Sequence, residues 1–408
     1  MADPAPAPSG KPPGGGWLSL GFAAAGHAYA HLFMLLYPTV VLALGPAFDR
    51  PYGELLALAT PAYVLFGAGA LPAGWLGDRW SAFGMLVVFF VGTGAAAVLT
   101  GFATDPLSLA AGLGAIGLFA SIYHPVGTAW VVRHAARRTR ALGFNGMCGN
   151  FGVALAALLA GALTELAGWR AAFIVPGLIS IATGIAFFAV ARAGAVDVGT
   201  TERVAHVPRE RGETRRAIAV LLVAAVLGGL VFQATTVGLP KLFDDRLGAL
   251  AQGTLGVGAM VSVVYGIAGF AQIIVGRLAE RRRLKPLYLA LYALQAPLLL
   301  LAGLIAGAPL LAVCVAFVFV NVGVLPVGDG LLARFTPPRW RATVYGVKFV
   351  AALGVAALGV PLVALTRDAT GDFTLLFVVL SALATSVVVA ASFLPNDDAP
   401  ATTPEKAA

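Results

Sequence analysis

Long apolar runs, separated by short polar or basic segments, recur twelve times along the chain. An α-helix needs roughly 20 apolar residues to cross a hydrocarbon core about 30 Å thick. Six runs of that order lie near Trp17–Leu42, Leu56–Leu76, Phe83–Phe102, Leu107–Val132, Leu142–Leu166 and Ala171–Val190. Six more lie near Ile218–Leu239, Leu255–Leu278, Leu287–Ile305, Leu311–Leu332, Val344–Leu365 and Phe373–Leu394. The runs are continuous rather than alternating, which favours helices over a membrane β-barrel. Pro125 and Pro326 fall inside the fourth and tenth runs, where packed membrane helices tolerate proline. The pattern predicts an all-α polytopic membrane protein with twelve transmembrane helices in two six-helix bundles.

The polar stretches divide the chain further. Residues 1–16 are rich in Pro, Gly and Ala and read as a disordered cytoplasmic tail. Residues 17–190 form the first bundle and 217–394 the second. The longest polar stretch, 191–216, reads as a cytoplasmic linker, and 395–408 as a second cytoplasmic tail. The first run exceeds the apolar core of a signal peptide, so it is expected to be retained.

Composition strengthens this reading. Of the 408 residues, 59% are hydrophobic and 11% charged, against about 25% charged in soluble domains. Lipid must therefore solvate most side chains, and every ionisable group inside a run needs a reason. With both termini in the cytoplasm, the outer loops hold Arg50, Arg170, Lys241, Arg246 and Arg367, and Lys348 lies inside a helix. Of the 27 Lys and Arg, 21 remain for the cytoplasmic side. This is the positive-inside pattern of a multi-pass inner-membrane protein, with basic loops suited to anionic lipid head groups. The net charge of +8 is thus topological and does not indicate nucleic-acid binding. Cys148 and Cys314 both sit in apolar runs and suggest no disulfide framework.

The two halves repeat each other. HPVGTAWVVRHAARRTRA at His124–Ala141 faces LPVGDGLLARFTPPRWRA at Leu325–Ala342. GWLGDR at Gly74–Arg79 likewise faces GRLAER at Gly276–Arg281. Duplicated halves imply a site between them that is exposed alternately to each side.

The Gly-x-x-x-Asp-Arg loop of Gly74, Leu76, Asp78 and Arg79 resembles the signature of the major facilitator superfamily. The second copy keeps Gly276 and Leu278, and puts Glu280 at the acid position before Arg281. The resemblance implies two six-helix bundles that rock between access states, with these residues gating the cytoplasmic side. A narrower resemblance is to the fosmidomycin-resistance branch. It rests on SIYHPVG at Ser121–Gly127, GNFGVALAALLAG at Gly149–Gly161, Tyr37–Pro38, and RATVYGVKF at Arg341–Phe349. Members of that branch commonly carry an acid near the position of His31, and a proline where this chain has Ala157.

Polar residues inside the runs supply the candidate chemistry. His27 and His31 are four apart and share a helix face near mid-membrane. An imidazole can exchange a proton in the physiological range, so either could couple transport to protons or bind a polar substrate. Tyr123 and His124 precede Pro125, whose missing amide frees the Ser121 carbonyl and predicts a kink. Asn145, Asn150, Gln233, Gln272 and Asn321 either line the cavity or join helices. Asp329 and Lys348 lie at matched depth in consecutive helices and are expected to pair. Asp78 is expected to cap a helix end or to pair with the basic run Arg137–Arg140. Gly149, Gly152 and Gly161 are expected to let helices approach closely.

No acid or thiol is tied to the histidines by spacing, so neither a metal site nor a cofactor is expected. The chain has no phosphate-binding glycine loop and no nucleophile set, so it reads as a secondary carrier and not as an enzyme. The expected activity is proton-coupled efflux of a small amphipathic or anionic compound. Uptake of a small polar metabolite or anion is the alternative. The expected partners are the substrate, protons and membrane lipids, with the monomer as the working unit.

Overall fold

A computed structural model describes residues 14–135, 138–196, 212–336 and 341–396. Most of both tails, the middle of the linker, and Arg137 lie outside the described residues, as do the side chains of Arg138 and Arg140.

Twelve helices among the described residues are long and apolar enough to cross a membrane. In the first half these are α1 (Gly16–Ala43), α2 (Tyr52–Arg79), α3 (Ala82–Thr100), α4 (Pro106–His134), α5 (Ala141–Ala167) and α6 (Ala171–Arg192). In the second half they are α7 (Arg215–Arg246), α8 (Gly253–Arg281), α9 (Leu284–Leu304) and α10 (Gly307–Phe335). Helix α11 consists of Arg341–Ala356 and, after a short turn, Gly359–Thr370. Helix α12 is Thr374–Ser392.

Local chemistry sets the starts and breaks of these helices. Ser81 caps α3 by accepting the Gly84 amide at 3.0 Å, and Asp105 caps α4 through the amides of Leu107 and Ser108. Such caps satisfy amides that have no partner within the helix. Helix α1 breaks at Leu36, two residues before Pro38. Pro38 cannot donate to the Met34 carbonyl. The Tyr63 hydroxyl of α2 donates to that oxygen instead, at 2.7 Å. Pro125 acts differently: the chain from Tyr123 to Gly127 forms one π-helical turn, so the expected kink takes the form of an inserted residue.

The repeat extends to the packing. The first half pairs α1 with α5, α2 with α4, and α3 with α6. The second half pairs α7 with α11, α8 with α10, and α9 with α12. Helix α5 packs closely on α8, and α2 on α11, joining the halves. Small residues make this possible. A Cβ at Gly161 would lie 2.2 Å from the Thr254 carbonyl oxygen, and one at Gly258 would lie 2.2 Å from that of Ala157. Within the first half, a Cβ at Gly152 would lie 2.2 Å from the Ala28 carbonyl oxygen and hold α1 away from α5.

One face of the bundle carries the helix ends with Arg79, Arg192, Arg281 and Arg334. The tight contacts of Gly161 and Gly258 lie toward the opposite face. Near the basic ends of α5 and α8, a Cβ at Gly143 or Gly276 would meet nothing within 4 Å.

Candidate functional site

Three histidines from two helices meet inside the first half. At 1.5 Å per residue, His27 and His31 lie roughly 16 and 22 Å along α1 from its basic end, and His124 lies about 15 Å from the basic end of α4. Their ring centroids are 5.0 Å apart for His27 and His31, 5.3 Å for His27 and His124, and 5.5 Å for His31 and His124. One ligand atom from each lies within 4.8 Å of the other two. Each histidine keeps partial exposure. Tyr123 stacks on His27 with ring centroids 5.0 Å apart, and Phe66 of α2 meets His124 edge-on at 5.6 Å. A Cβ at Gly149 would lie 2.8 Å from the His27 ring, so this glycine makes room for the imidazole as well as for a helix.

The hydrogen bonds fix the ring orientations. The Asn145 main-chain oxygen lies 2.7 Å from His27 Nδ1, and a carbonyl only accepts, so Nδ1 carries hydrogen. His27 Nε2 is then an acceptor, and His31 Nε2–H donates to it at 3.3 Å. The Tyr123 hydroxyl has a single hydrogen, which it donates to the Ala23 carbonyl at 2.6 Å. The Asn145 amide sits 2.7 Å from that hydroxyl and 3.1 Å from His27 Nδ1. As placed, the amide oxygen faces Tyr123 and the amide nitrogen faces His27 Nδ1; exchanging the two atoms, an assignment made from the hydrogen bonds, lets the nitrogen donate to Tyr123 and the oxygen accept from His27 Nδ1–H. The result is a continuous path Ala23–Tyr123–Asn145–His27–His31.

The other expected cavity residues lie elsewhere. Gln233 of α7 meets the Tyr63 side chain across the seam between the halves. Gln272 of α8 faces Gly146 of α5, where a Cβ would lie 2.8 Å from its Oε1. Asn150 Nδ2 turns back to the Gly146 carbonyl at 3.4 Å. Asn321 is buried in α10, and its amide nitrogen has no hydrogen-bond partner among the described residues.

Asp329 and Lys348 form an ion pair between α10 and α11, with Lys348 the more enclosed partner. Asp78 lines a small pocket with Gly74, Pro125, Trp130 and Arg133. The contact expected between Asp78 and Arg137–Arg140 falls outside the described side chains. A Cβ at Gly74 would meet Pro125 at 3.2 Å, which places this loop against the π turn of α4. The Arg79 guanidinium lies 5.6 Å from the Trp75 ring centroid.

Lys241, Arg246 and Arg367, read from the sequence only as outer-loop bases, join acids in a charged group at the opposite face. Asp245 takes Lys241 at 2.8 Å and Arg367 at 3.0 Å. Lys241 also lies 5.8 Å from the Tyr52 ring centroid of the first half. Asp372 binds Arg246 at 2.9 Å. Enclosure works to raise the Asp372 carboxyl, but hydrogen bonds from Thr374 and the charge of Arg246 leave it below the usual carboxylate value. The available signal was the close spacing of acids and bases at the ends of α7 and α11, but spacing does not reveal contacts between helices.

Comparisons with known proteins agree with this architecture. Human monocarboxylate transporter 11 is 29% identical over 416 residues, spanning 95% of this chain and 84% of that protein. A bacterial homolog of the human lysosomal transporter Spinster, solved inward-facing and unoccupied, superposes with a TM-score of 0.74 at 16% identity, covering 95% of each chain. Its occupied inward-facing form gives a TM-score of 0.68 at 15% identity over 94% of this chain. The family model of the Major Facilitator Superfamily matches residues 18–347. With twelve membrane helices in two like-packed halves, this chain belongs to the Major Facilitator Superfamily of alternating-access secondary transporters.

Proposed function

We propose that the protein couples proton movement to the efflux of a small amphipathic or anionic compound across the cell inner membrane. The carrying observation is the Tyr123–Asn145–His27–His31 hydrogen-bond path with His124 beside it. The path offers groups that gain and lose protons near the bilayer midplane, on α1, α4 and α5, of which α5 packs closely on the second half. The two facing Nε2 atoms of His27 and His31 are 3.3 Å apart. Repulsion between two imidazolium ions at that distance limits the pair to one added proton. That added charge biases the balance between access states. Lys348 supports an anionic substrate, since the Asp329 carboxylate already occupies it with the chemistry an acid would offer. The likeness to a protein named as a monocarboxylate transporter points the same way. The resemblance to the fosmidomycin-resistance branch supports export. The basic face is then cytoplasmic, with both termini there.

The test uses proteoliposomes with an imposed pH gradient and a panel of labelled small carboxylates. His31→Gln keeps hydrogen bonding but carries no proton at physiological pH. It is expected to abolish accumulation against a gradient while downhill exchange survives. Accumulation by His31→Gln with undiminished dependence on the pH gradient rejects the coupling role. A second reading is uptake of a small polar metabolite or anion, the anionic class being the one the same human relative's name carries. The direction of gradient-driven movement in oriented vesicles separates the two.

A further inference from the structure

The histidine cluster has a property that proton transfer does not require. In tetrahedral zinc sites with Zn–N bonds of about 2.0–2.1 Å, two ligand nitrogens stand roughly 3.3–3.4 Å apart. His27 Nε2 and His31 Nε2 stand 3.3 Å apart. The pair has the i, i+4 spacing that places two imidazoles on one helix face for a single ion. His124 brings a third ring nitrogen within 4.8 Å of both from the π turn of α4. Reaching the spacing of a tetrahedral site requires that nitrogen to shift by up to about 1.5 Å.

The surroundings fit as well. Metal-bound histidines usually donate their other ring N–H to a carbonyl or carboxylate, which fixes the ligating nitrogen. His27 Nδ1–H already donates to the Asn145 carbonyl at 2.7 Å, which aims Nε2 at the cluster. The expectation of no metal rested on the lack of an acid or thiol near these residues in sequence. The fold supplies a third histidine instead. We propose that His27, His31 and His124 form a binding site for one divalent cation of the zinc, cobalt and nickel class, with a fourth coordination position left open. Three imidazoles with no carboxylate suit those ions and not magnesium or calcium. An open position marks a site that exchanges ligands rather than one that only braces the fold. The ion and a shared proton use the same nitrogen lone pairs, so the site holds one or the other. The two occupancies compete, but metal binding is read by spectroscopy without transport, so its failure is distinct from failure of proton coupling.

Cobalt(II) tests this without any transport assay. Purified full-length protein in detergent, with no polyhistidine tag, is titrated with Co²⁺ and its visible absorption recorded. The expected result is one equivalent giving the intense bands of a four-coordinate ion. Zn²⁺ should displace it, while Mg²⁺ and Ca²⁺ should not. His31→Gln and His124→Gln should each weaken binding by more than the roughly 10–100-fold that loss of an outer hydrogen-bond partner costs a metal site. The double variant His134→Gln with His206→Gln should bind like the parent. His124→Cys retains a ligand and should add a thiolate-to-cobalt band, which keeps the test decisive if a glutamine variant fails to fold. Binding that survives His31→Gln and His124→Gln overturns the proposal, as does binding lost with His134 and His206, or a parent spectrum typical of six-coordinate cobalt.

Discussion

The Glu165 carboxylate at the end of α5 accepts the Leu255 amide of α8 at 2.9 Å, with the Thr254 hydroxyl 3.4 Å away. The bond spans the two halves and places an anion at a helix N-terminus, where the helix dipole favours it. It lies at the face away from the basic helix ends, close to the backbone contact of Gly161 with Thr254. Glu165→Ala is expected to loosen this seam. Spin labels at Leu166 and Leu250, both exposed, should then report distances several ångströms longer, while Glu165→Gln should stay near the parent because it keeps an acceptor. An unchanged distribution in the alanine variant would show that the seam holds without this bond.

Lys348 is the more enclosed member of its pair, with a side-chain exposure of 17% against 45% for Asp329. Asp329→Asn strands a cation in the membrane. Removing one partner of a fully buried pair costs about 3–5 kcal/mol, and the exposure of Asp329 reduces that figure here. The expected outcome is a clear loss of thermal stability or yield in the single variant, recovered in large part by adding Lys348→Met. Additive losses in the double variant would show that the pairing carries no coupling energy.

Two glycines of α5 should respond in opposite ways to the same change. In Gly152→Ala the new Cβ meets the Ala28 backbone, which cannot swing aside, so α1 and α5 must separate and the melting temperature should fall by several degrees. In Gly143→Ala nothing lies within 4 Å, and the better helix former should leave stability unchanged or raise it by up to about 1 kcal/mol. Thermal unfolding followed by size-exclusion chromatography compares them directly. Equal effects would contradict the α1–α5 contact described above.

Sidedness can be read chemically. In a background lacking Cys148 and Cys314, Leu250→Cys should react with an impermeant thiol reagent added to intact cells, and Arg282→Cys should react only after lysis. The reverse pattern would invert the assignment of the basic face to the cytoplasm.

The helices were largely legible in the sequence because lipid leaves few choices. A segment that crosses must be apolar, helical and long enough, so the run at 17–42 and the helix Gly16–Ala43 differ by a single residue at each end. His27 and His31 could be placed together from their spacing. His124 could not, because its approach depends on how α4 packs against α1. Asn145 was visible only as one polar residue among several. Its side-chain amide links Tyr123 to His27, and its main-chain oxygen holds His27 Nδ1, a contact that no side-chain pattern encodes. Asp329 and Lys348 were readable through depth, since charges at one level in consecutive helices have few other partners. Glu165, Asp245 and Arg367 lie at helix ends, where water makes a charge unremarkable. Spacing could mark Lys241 and Asp245 as neighbours, but the contacts of Glu165 and of Asp245 with Arg367 run between helices, which spacing does not reveal.

The π turn at Tyr123–Gly127 also sets a phase. An extra residue in one turn rotates everything beyond it by about 100° relative to a continuous helix with 3.6 residues per turn. The two ends of α4 therefore present differently indexed faces. One sequence stripe meets α2 above the turn, and another carries Trp130 into the first-half core below it. Deleting Val126 would remove no member of the hydrogen-bond path or the histidine cluster, yet it would misalign the lower end of α4 with its neighbours. The turn acts as a clutch between two gear trains: it lets one helix serve two packing surfaces while holding Tyr123 and His124 at the point where they engage.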